Sequence, residues 1–185
     1  FLTNADATRK GYKFAKWTTN ADGTGDAYTS GQVITWTQDA DLSVYAQWTA
    51  NTLTIEYMLN GGTVTETGVA NGFVQPTDPT TQPAKTETYA YDKSLPTEGL
   101  TDCTDDRITP PVGYHTVRTS AYKTANGTTF GDSVVYTTIQ IAQMAGVFTD
   151  FENGDVTVKL YINWIANSYT IEYSGESTTS TNGTA

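Results

Sequence analysis

The segments "LSVYAQWTANTLTIEY" (42–57) and "VKLYINWIANSYTIEY" (158–173) are one pattern written twice. Tyr45 matches Tyr161, Trp48 matches Trp164, Ala50 matches Ala166 and Asn51 matches Asn167, all 116 residues apart. The run Thr-Ile-Glu-Tyr then recurs intact at 54–57 and 170–173. Self-similarity of this length means that one supersecondary unit is built twice and that its copies pack in series. Weaker echoes precede each copy. "RKGYKF" (9–14) corresponds to "PPVGYHTV" (110–117) through Gly11-Tyr12 and Gly113-Tyr114, and "ADGT" (21–24) corresponds to "ANGT" (125–128).

The repeated segments read as strands. Leu42, Val44, Ala46 and Trp48 alternate with more polar residues, as do Leu53, Ile55, Tyr57 and Leu59 with Thr54, Glu56 and Met58. Asn60-Gly61-Gly62 then breaks the strand with residues that tolerate positive φ. "TETYAYD" (86–92) alternates as well. "SVVYTTIQIAQMAG" (133–146) has a β-branched start that reads as strand and an Ala/Gln/Met end that reads as helix. "LPTEGLTD" (95–102) has room for one helical turn. Threonine dominates the composition and good helix formers are scarce, so the expected class is mostly β with little helix.

The charge narrows the partners. The chain of 185 residues has a net charge of −10 and a pI near 4.3, with no run of Lys or Arg. That disfavours nucleic acid and anionic membrane surfaces. No apolar run approaches bilayer-spanning length, so no membrane insertion is expected. Cys103 is the single cysteine, which rules out an intrachain disulfide.

The stretch "RKGYKFAKWTTNADGTGDAY…DLSVYAQWTANTLTIEYMLNGG" resembles the Listeria–Bacteroides repeat, also called the internalin B-repeat family. Arg9, Gly11, Tyr12, Phe14 and Trp17 carry its first motif. Val44, Tyr45, Ala46 and Trp48 carry the second, and Asn60-Gly61-Gly62 the third. The likeness covers 1–62 well and 63–173 loosely. In the second copy Val117 stands near the Phe position and Tyr122 near the Trp position, with insertions around 125–155. The resemblance implies tandem β-grasp-like modules on a bacterial secreted or cell-surface protein. It also implies a structural or adhesin role rather than catalysis, and an extracellular location.

In that frame residues 1–50 form a first repeat without its opening strands, and 51–166 form a full but divergent second repeat. Residues 167–185 then hold the opening strand of a third and a Ser/Thr/Gly tail. Three fates for that last strand stay open. It is the start of the next repeat in a spacer or adhesion stalk. Or it pairs with an identical subunit through 168–176, with Tyr169, Ile171 and Tyr173 as its contact residues, and builds a filament. Or it folds back on its own chain. A module that binds glycan or a host surface protein is a further reading.

No chemistry-bearing motif stands out, and the expected protein is not an enzyme. Asn20, Asp22 and Asp26 surround Gly23 and Gly25 in a loop that superficially resembles a calcium site. With Gly23 at the sixth position of an EF-hand loop, Asn20 and Asp22 fall at the third and fifth. Thr18 and Thr29, however, occupy the first and twelfth, where an oxyanion and a bidentate Glu are needed. Asp-Gly and Asn-Gly are also hairpin signals, so the expected reading is a turn, with no metal and no cofactor. "LPTEG" (95–99) has its Thr misplaced for a sortase signal and reads as a loop. Cys103 and His115 lack any partner signature for nucleophilic catalysis, and Asp102, Asp105 and Asp106 beside the thiol would raise its pKa. Tyr12, Phe14, Trp17, Tyr45, Trp48, Tyr161 and Trp164 are the expected repeat core, as core or half-buried sheet residues. Tyr28 and Trp36 fit that pattern less clearly; exposed aromatics on a β module can stack on sugar rings, but packing is the expected role. Glu56 and Glu172 are read as solvent-facing rather than as partners in an isopeptide bond.

Overall fold

A computed structural model of the chain describes residues 7–35, 40–96, 99–104 and 106–172. Of these residues 31% are strand and 14% helix, arranged in several sheets. Trp36, Asp105 and Tyr173 lie outside the described residues, as do Thr97 and Glu98 of the "LPTEG" stretch.

Three strands come first: β1 (Tyr12–Thr18), β2 (Ala27–Tyr28) and β3 (Tyr45–Ala50). They form an antiparallel sheet in the order β2-β1-β3. Ala15 is an extra residue in β1, so the register slips between Phe14 and Lys16. This bulge puts both Phe14 and Trp17 within reach of their neighbours. Phe14 stacks edge-on against Trp48, with ring centroids 6.0 Å apart, and tilts against Trp17 at 5.2 Å.

Asn51 ends this sheet and the next residue starts another. The chain continues through β4 (Thr52–Met58), β5 (Thr63–Val64), helix α1 (Glu66–Ala70), β6 (Lys85–Ala90) and β7 (Ile108–Thr109). Next come β8 (Tyr114–His115), a 3₁₀ turn at Arg118–Ser120, β9 (Tyr122–Lys123) and β10 (Thr129–Phe130). Helices α2 (Thr138–Ala145) and α3 (Phe148–Asn153) lead into β11 (Val156–Ile162) and β12 (Ile165–Ala166).

The main sheet has the order β10-β9-β11-β4-β6. At its centre β4 and β11 run parallel, from Val156 beside Leu53 to Tyr161 beside Met58, and β6 flanks β4 antiparallel. Leu53, Ile55 and Tyr57 on β4, with Val158 and Leu160 on β11, fill one face. Ile141 and Ala142 of α2 and Phe151 of α3 join them in a single core with Phe73, Leu100, Tyr122 and Phe130. A run buried on this face and half-covered on the other accounts for the alternation along β4.

The ambiguous stretch 133–146 resolves mostly in favour of helix. Residues 133–136 form turn and irregular backbone rather than the expected strand, and Thr137 makes only an isolated bridge with Ser94. Thr137 caps α2: its hydroxyl accepts from Gln140 N while the Gln140 side chain accepts from Thr137 N, a closed capping box. Gly146 stops the helix at φ 77°. Capping outweighs the β-branched propensity of Val134 and Val135, which stay exposed. The turn expected at 95–102 is not a helix in its described part. Gly99 N donates to Pro96 O at 2.8 Å, with Gly99 at φ 75°. The strand expected from Leu42 begins only at Tyr45.

Of the aromatics expected as core or half-buried sheet residues, Tyr45 alone departs. Tyr12, Phe14, Trp17, Trp48, Tyr161 and Trp164 are half-buried, whereas Tyr45 is 46% exposed. The fully buried side chains lie elsewhere, with Tyr57, Tyr122, Phe73, Phe130 and Phe151 the largest. Tyr45 closes a narrow sheet at its end, opposite Thr18, and no layer covers that position among the described residues.

Candidate functional site: the unit joint, its duplicate and the Glu87 cavity

The first sheet is joined to the second at Gly11 and Asn51. Gly11 N donates to Glu152 O, Asn51 N to Gly11 O and Tyr91 N to Asn51 O, each at 2.8 Å. The buried Asn51 Nδ2 also donates to Phe151 O at 2.8 Å. Gly11 sits at φ 77°, and a Cβ there would lie 2.3 Å from the Tyr91 ring, so glycine is needed both for conformation and for space. Tyr91 packs between Tyr12 and Phe151, with centroids 5.9 and 4.9 Å away. Lys10 pairs with Glu152 at 3.0 Å, and Lys13 pairs with Asp155, whose other oxygen accepts from Thr52 N.

One of these hydrogen bonds recurs beside the two-stranded β8–β12 sheet. Asn167 N donates to Gly113 O at 2.8 Å, the counterpart of Asn51 to Gly11. Tyr12↔Ala50 in the first unit has Tyr114↔Ala166 as its counterpart. Trp17↔Ala46 and Trp17↔Tyr28 have Tyr122↔Ile162 and Phe130↔Tyr122. The turns match too: Gly23 and Gly127 have φ 86° and 88°, and Thr24 N and Thr128 N donate to Asp22 Oδ1 and Asn126 Oδ1. The units differ where the second carries extra chain. Its 3₁₀ turn stands where the first has a one-residue bulge, and the partner strand breaks at Asn163-Trp164. There Trp164 Nε1 donates to Leu59 O at 3.1 Å. The two helices fill the interval between β10 and β11.

This recurrence settles the geometry of 19–28. Asp22 Oδ1 accepts from both the amide and the hydroxyl of Thr24, at 3.0 and 2.6 Å, and these bonds hold its carboxyl below the usual range. Asn20 Nδ2 donates to Thr24 Oγ1 at 2.9 Å, and Asp26 N donates to Thr19 Oγ1 at 3.0 Å. Asp22 Oδ1 and the Asn20 amide nitrogen are thus engaged in holding the turn. Among the described residues no three acidic, His or Cys side chains cluster as metal ligands.

The expected sites separate in space. Cys103 is buried beneath Ala121, and burial pushes its thiol up to about 12. His115 lies instead on β8, with its Nδ1 2.7 Å from Asn167 Oδ1. Glu56 is not free in solvent: it faces Lys159 across the parallel ladder, at 3.7 Å. Glu172, Tyr169 and Ile171 are exposed and belong to no strand.

One polar site was not anticipated. Glu87 lies opposite Ile55, so its side chain points to the core face of the edge strand β6. Its carboxylate accepts from Tyr57 OH at 2.7 Å, Tyr89 OH at 3.1 Å and Thr101 Oγ1 at 2.7 Å, and lies 3.2 Å from Lys85 Nζ. Burial pushes this carboxyl up, but the Thr101 and Tyr57 hydroxyls and the Lys85 ammonium outweigh it and hold it below its ordinary range. A cavity of about 420 Å³ opens beside it, lined by Lys85, Asp102, Arg107 and Arg118 among others. Arg118 holds Asp132 at 3.2 Å and Asp102 at 3.7 Å. Burial and the adjacent Asp102 raise the Asp132 carboxyl. Residue spacing did not reveal this pair, because Asp102 and Asp132 lie far apart in sequence and meet around Arg118. The visible signal for Glu87 was its place in "TETYAYD", in phase with Tyr89.

Comparison with family models, with curated proteins and with solved structures gave no match to this chain.

Proposed function

We propose that the chain is a segment of tandem β-grasp-like repeats from a bacterial cell-surface or secreted protein. In this reading it is a spacer or adhesion stalk that transmits tension rather than performing chemistry. The observation that carries the reading is the parallel pairing of β4 with β11. These are the first and last long strands of the second unit, so the unit is entered at Thr52 and left beyond Ile162, at opposite ends of one ladder. Pulling on those ends slides two parallel strands past each other and loads their hydrogen bonds together. An antiparallel pair pulled from adjacent ends opens one bond at a time. The locked joint at Gly11 and Asn51 and its duplicate at Gly113 and Asn167 support serial stacking. The acidic, threonine-rich, disulfide-free composition supports the bacterial extracellular assignment.

Force spectroscopy on one protein with two attachment geometries tests this. Handles at Thr52 and Asn163 shear β4 against β11. Handles at Thr52 and Ala90, which face each other across β4 and β6, peel an antiparallel pair. Shear should resist several-fold more force than peeling. Equal forces would refute a tension-bearing role.

A further inference from the structure

We infer that the cavity beside Glu87 binds a small polyhydroxylated carboxylate, an acidic sugar residue, with the Arg107 guanidinium on its carboxylate. This site is independent of the spacer reading, because every group it uses lies between Asn71 and Asp132. Separate stretches of chain meet there: Lys85 and Glu87 on β6, Thr101 and Asp102 in the loop after it, Arg107 just before β7, and Arg118 in the 3₁₀ turn. At about 420 Å³ the cavity falls within the range of small-molecule sites, roughly 300–1,000 Å³. Such sites are usually apolar with a few polar groups. Charged and polar side chains line most of this one, so its occupant must be hydrophilic over most of its surface. Three of the ten Lys and Arg residues of an acidic chain line it.

Glu87 itself has no acceptor capacity left. Its oxygens already take Tyr57 OH, Tyr89 OH, Thr101 Oγ1 and Lys85 Nζ, and a carboxylate offers about four lone-pair sites. It is a positioning residue that fixes Lys85 at the cavity wall. Lys85 Nζ uses one N–H on Glu87 and one on Asn71 O at 3.2 Å, which leaves one donor for a ligand oxygen. Arg118 is matched by Asp132 and Asp102. Arg107 differs. Its Nη1 makes a long bond, 3.4 Å, to the Asp102 carbonyl, and no ion pair among the described residues uses it. Asp106, its neighbour in sequence, instead holds Thr104 Oγ1. A half-buried guanidinium with most of its planar fork open suits a carboxylate. Asp102 supplies the complementary acceptors. Its Oδ1 takes Thr104 N at 2.9 Å and its Oδ2 lies 3.7 Å from Arg118, so lone pairs remain for ligand hydroxyls. One unmatched cation fits one negative charge, whereas a phosphate dianion would set a second charge against Asp102.

Isothermal titration calorimetry of the full chain with D-glucuronate, D-glucose, acetate and inorganic phosphate tests the site. Glucuronate should bind saturably. Glucose lacks the carboxylate and acetate lacks the ring hydroxyls, so each should bind about tenfold more weakly or worse. Arg107→Gln should weaken glucuronate binding by about tenfold or more. Arg107→Lys keeps the charge but not the fork, so it should still lose binding several-fold even if Arg107→Gln fails to fold. Lys93→Gln, at an exposed lysine that does not line the cavity, should bind as the native chain does. No saturable heat with glucuronate, equal binding of glucose or acetate, or tighter binding of phosphate overturns the inference. So does undiminished binding by either folded Arg107 variant, or an equal loss in Lys93→Gln.

Discussion

Replacing Glu87 by Ala probes a charged group built into the core face. The carboxylate accepts three hydroxyl donors, and its side chain is 20% exposed. Hydrogen bonds to a charged acceptor contribute about 1.5–3 kcal/mol each. Water entering the adjacent cavity can replace the carboxylate for Tyr89 and Thr101, but Tyr57 is 1% exposed and loses its acceptor outright. The expected cost is therefore roughly 2–4 kcal/mol, well below the sum of the separate bonds. Tyr57→Phe should cost about 1–2 kcal/mol, and the double variant should fall short of additivity by about 1 kcal/mol or more. Urea unfolding followed by tryptophan fluorescence at neutral pH measures all three. The sign with pH is set by the depressed folded pKa. Glu87 stabilises fully above its ordinary value of 4.5, and this contribution is lost as pH falls through the lower folded value. The stability gap between the native chain and Glu87→Gln should narrow with acidification over that window. A Glu87→Ala cost under about 1 kcal/mol, or strict additivity with Tyr57→Phe, would refute the hub reasoning.

Gly11→Ala should lower stability by roughly 2–4 kcal/mol, because it combines a strained positive φ with collision against Tyr91; a thermal melt within a degree of the native one would contradict this. Cys103, buried and with its thiol pushed up to about 12, should resist a thiol-reactive dye in the native state and label only at the unfolding rate; fast native labelling would place it elsewhere. Millimolar calcium or a chelator should leave the melting temperature unchanged, since Asp22 and Asn20 are engaged in their turn; a rise of several degrees with calcium would restore the loop as a metal site.

Local order was legible in the residues themselves. Alternation marked β4 and the two faces of "TETYAYD", Asn60 and Gly61 marked the turn with φ 52° and 100°, and the duplicated segments announced duplicated hydrogen bonds. Each of these depends on side-chain period or on the φ preference of one or two residues, so a short window contains the information. What the residues left undecided was which face met which layer. Tyr45 and Tyr161 are the same letter in the same motif, yet one is 46% exposed and the other half-buried, because only the second strand has β4 beside it. Glu87 reads as an ordinary polar strand residue until β4 sets it opposite Ile55 and the 99–104 loop brings Thr101 to its carboxylate. The parallel pairing of β4 with β11 spans about a hundred residues and leaves no mark on either strand alone. Period and propensity are properties of a segment, but a strand's partner is chosen by the burial that all segments achieve together, and only the tertiary structure carries that choice.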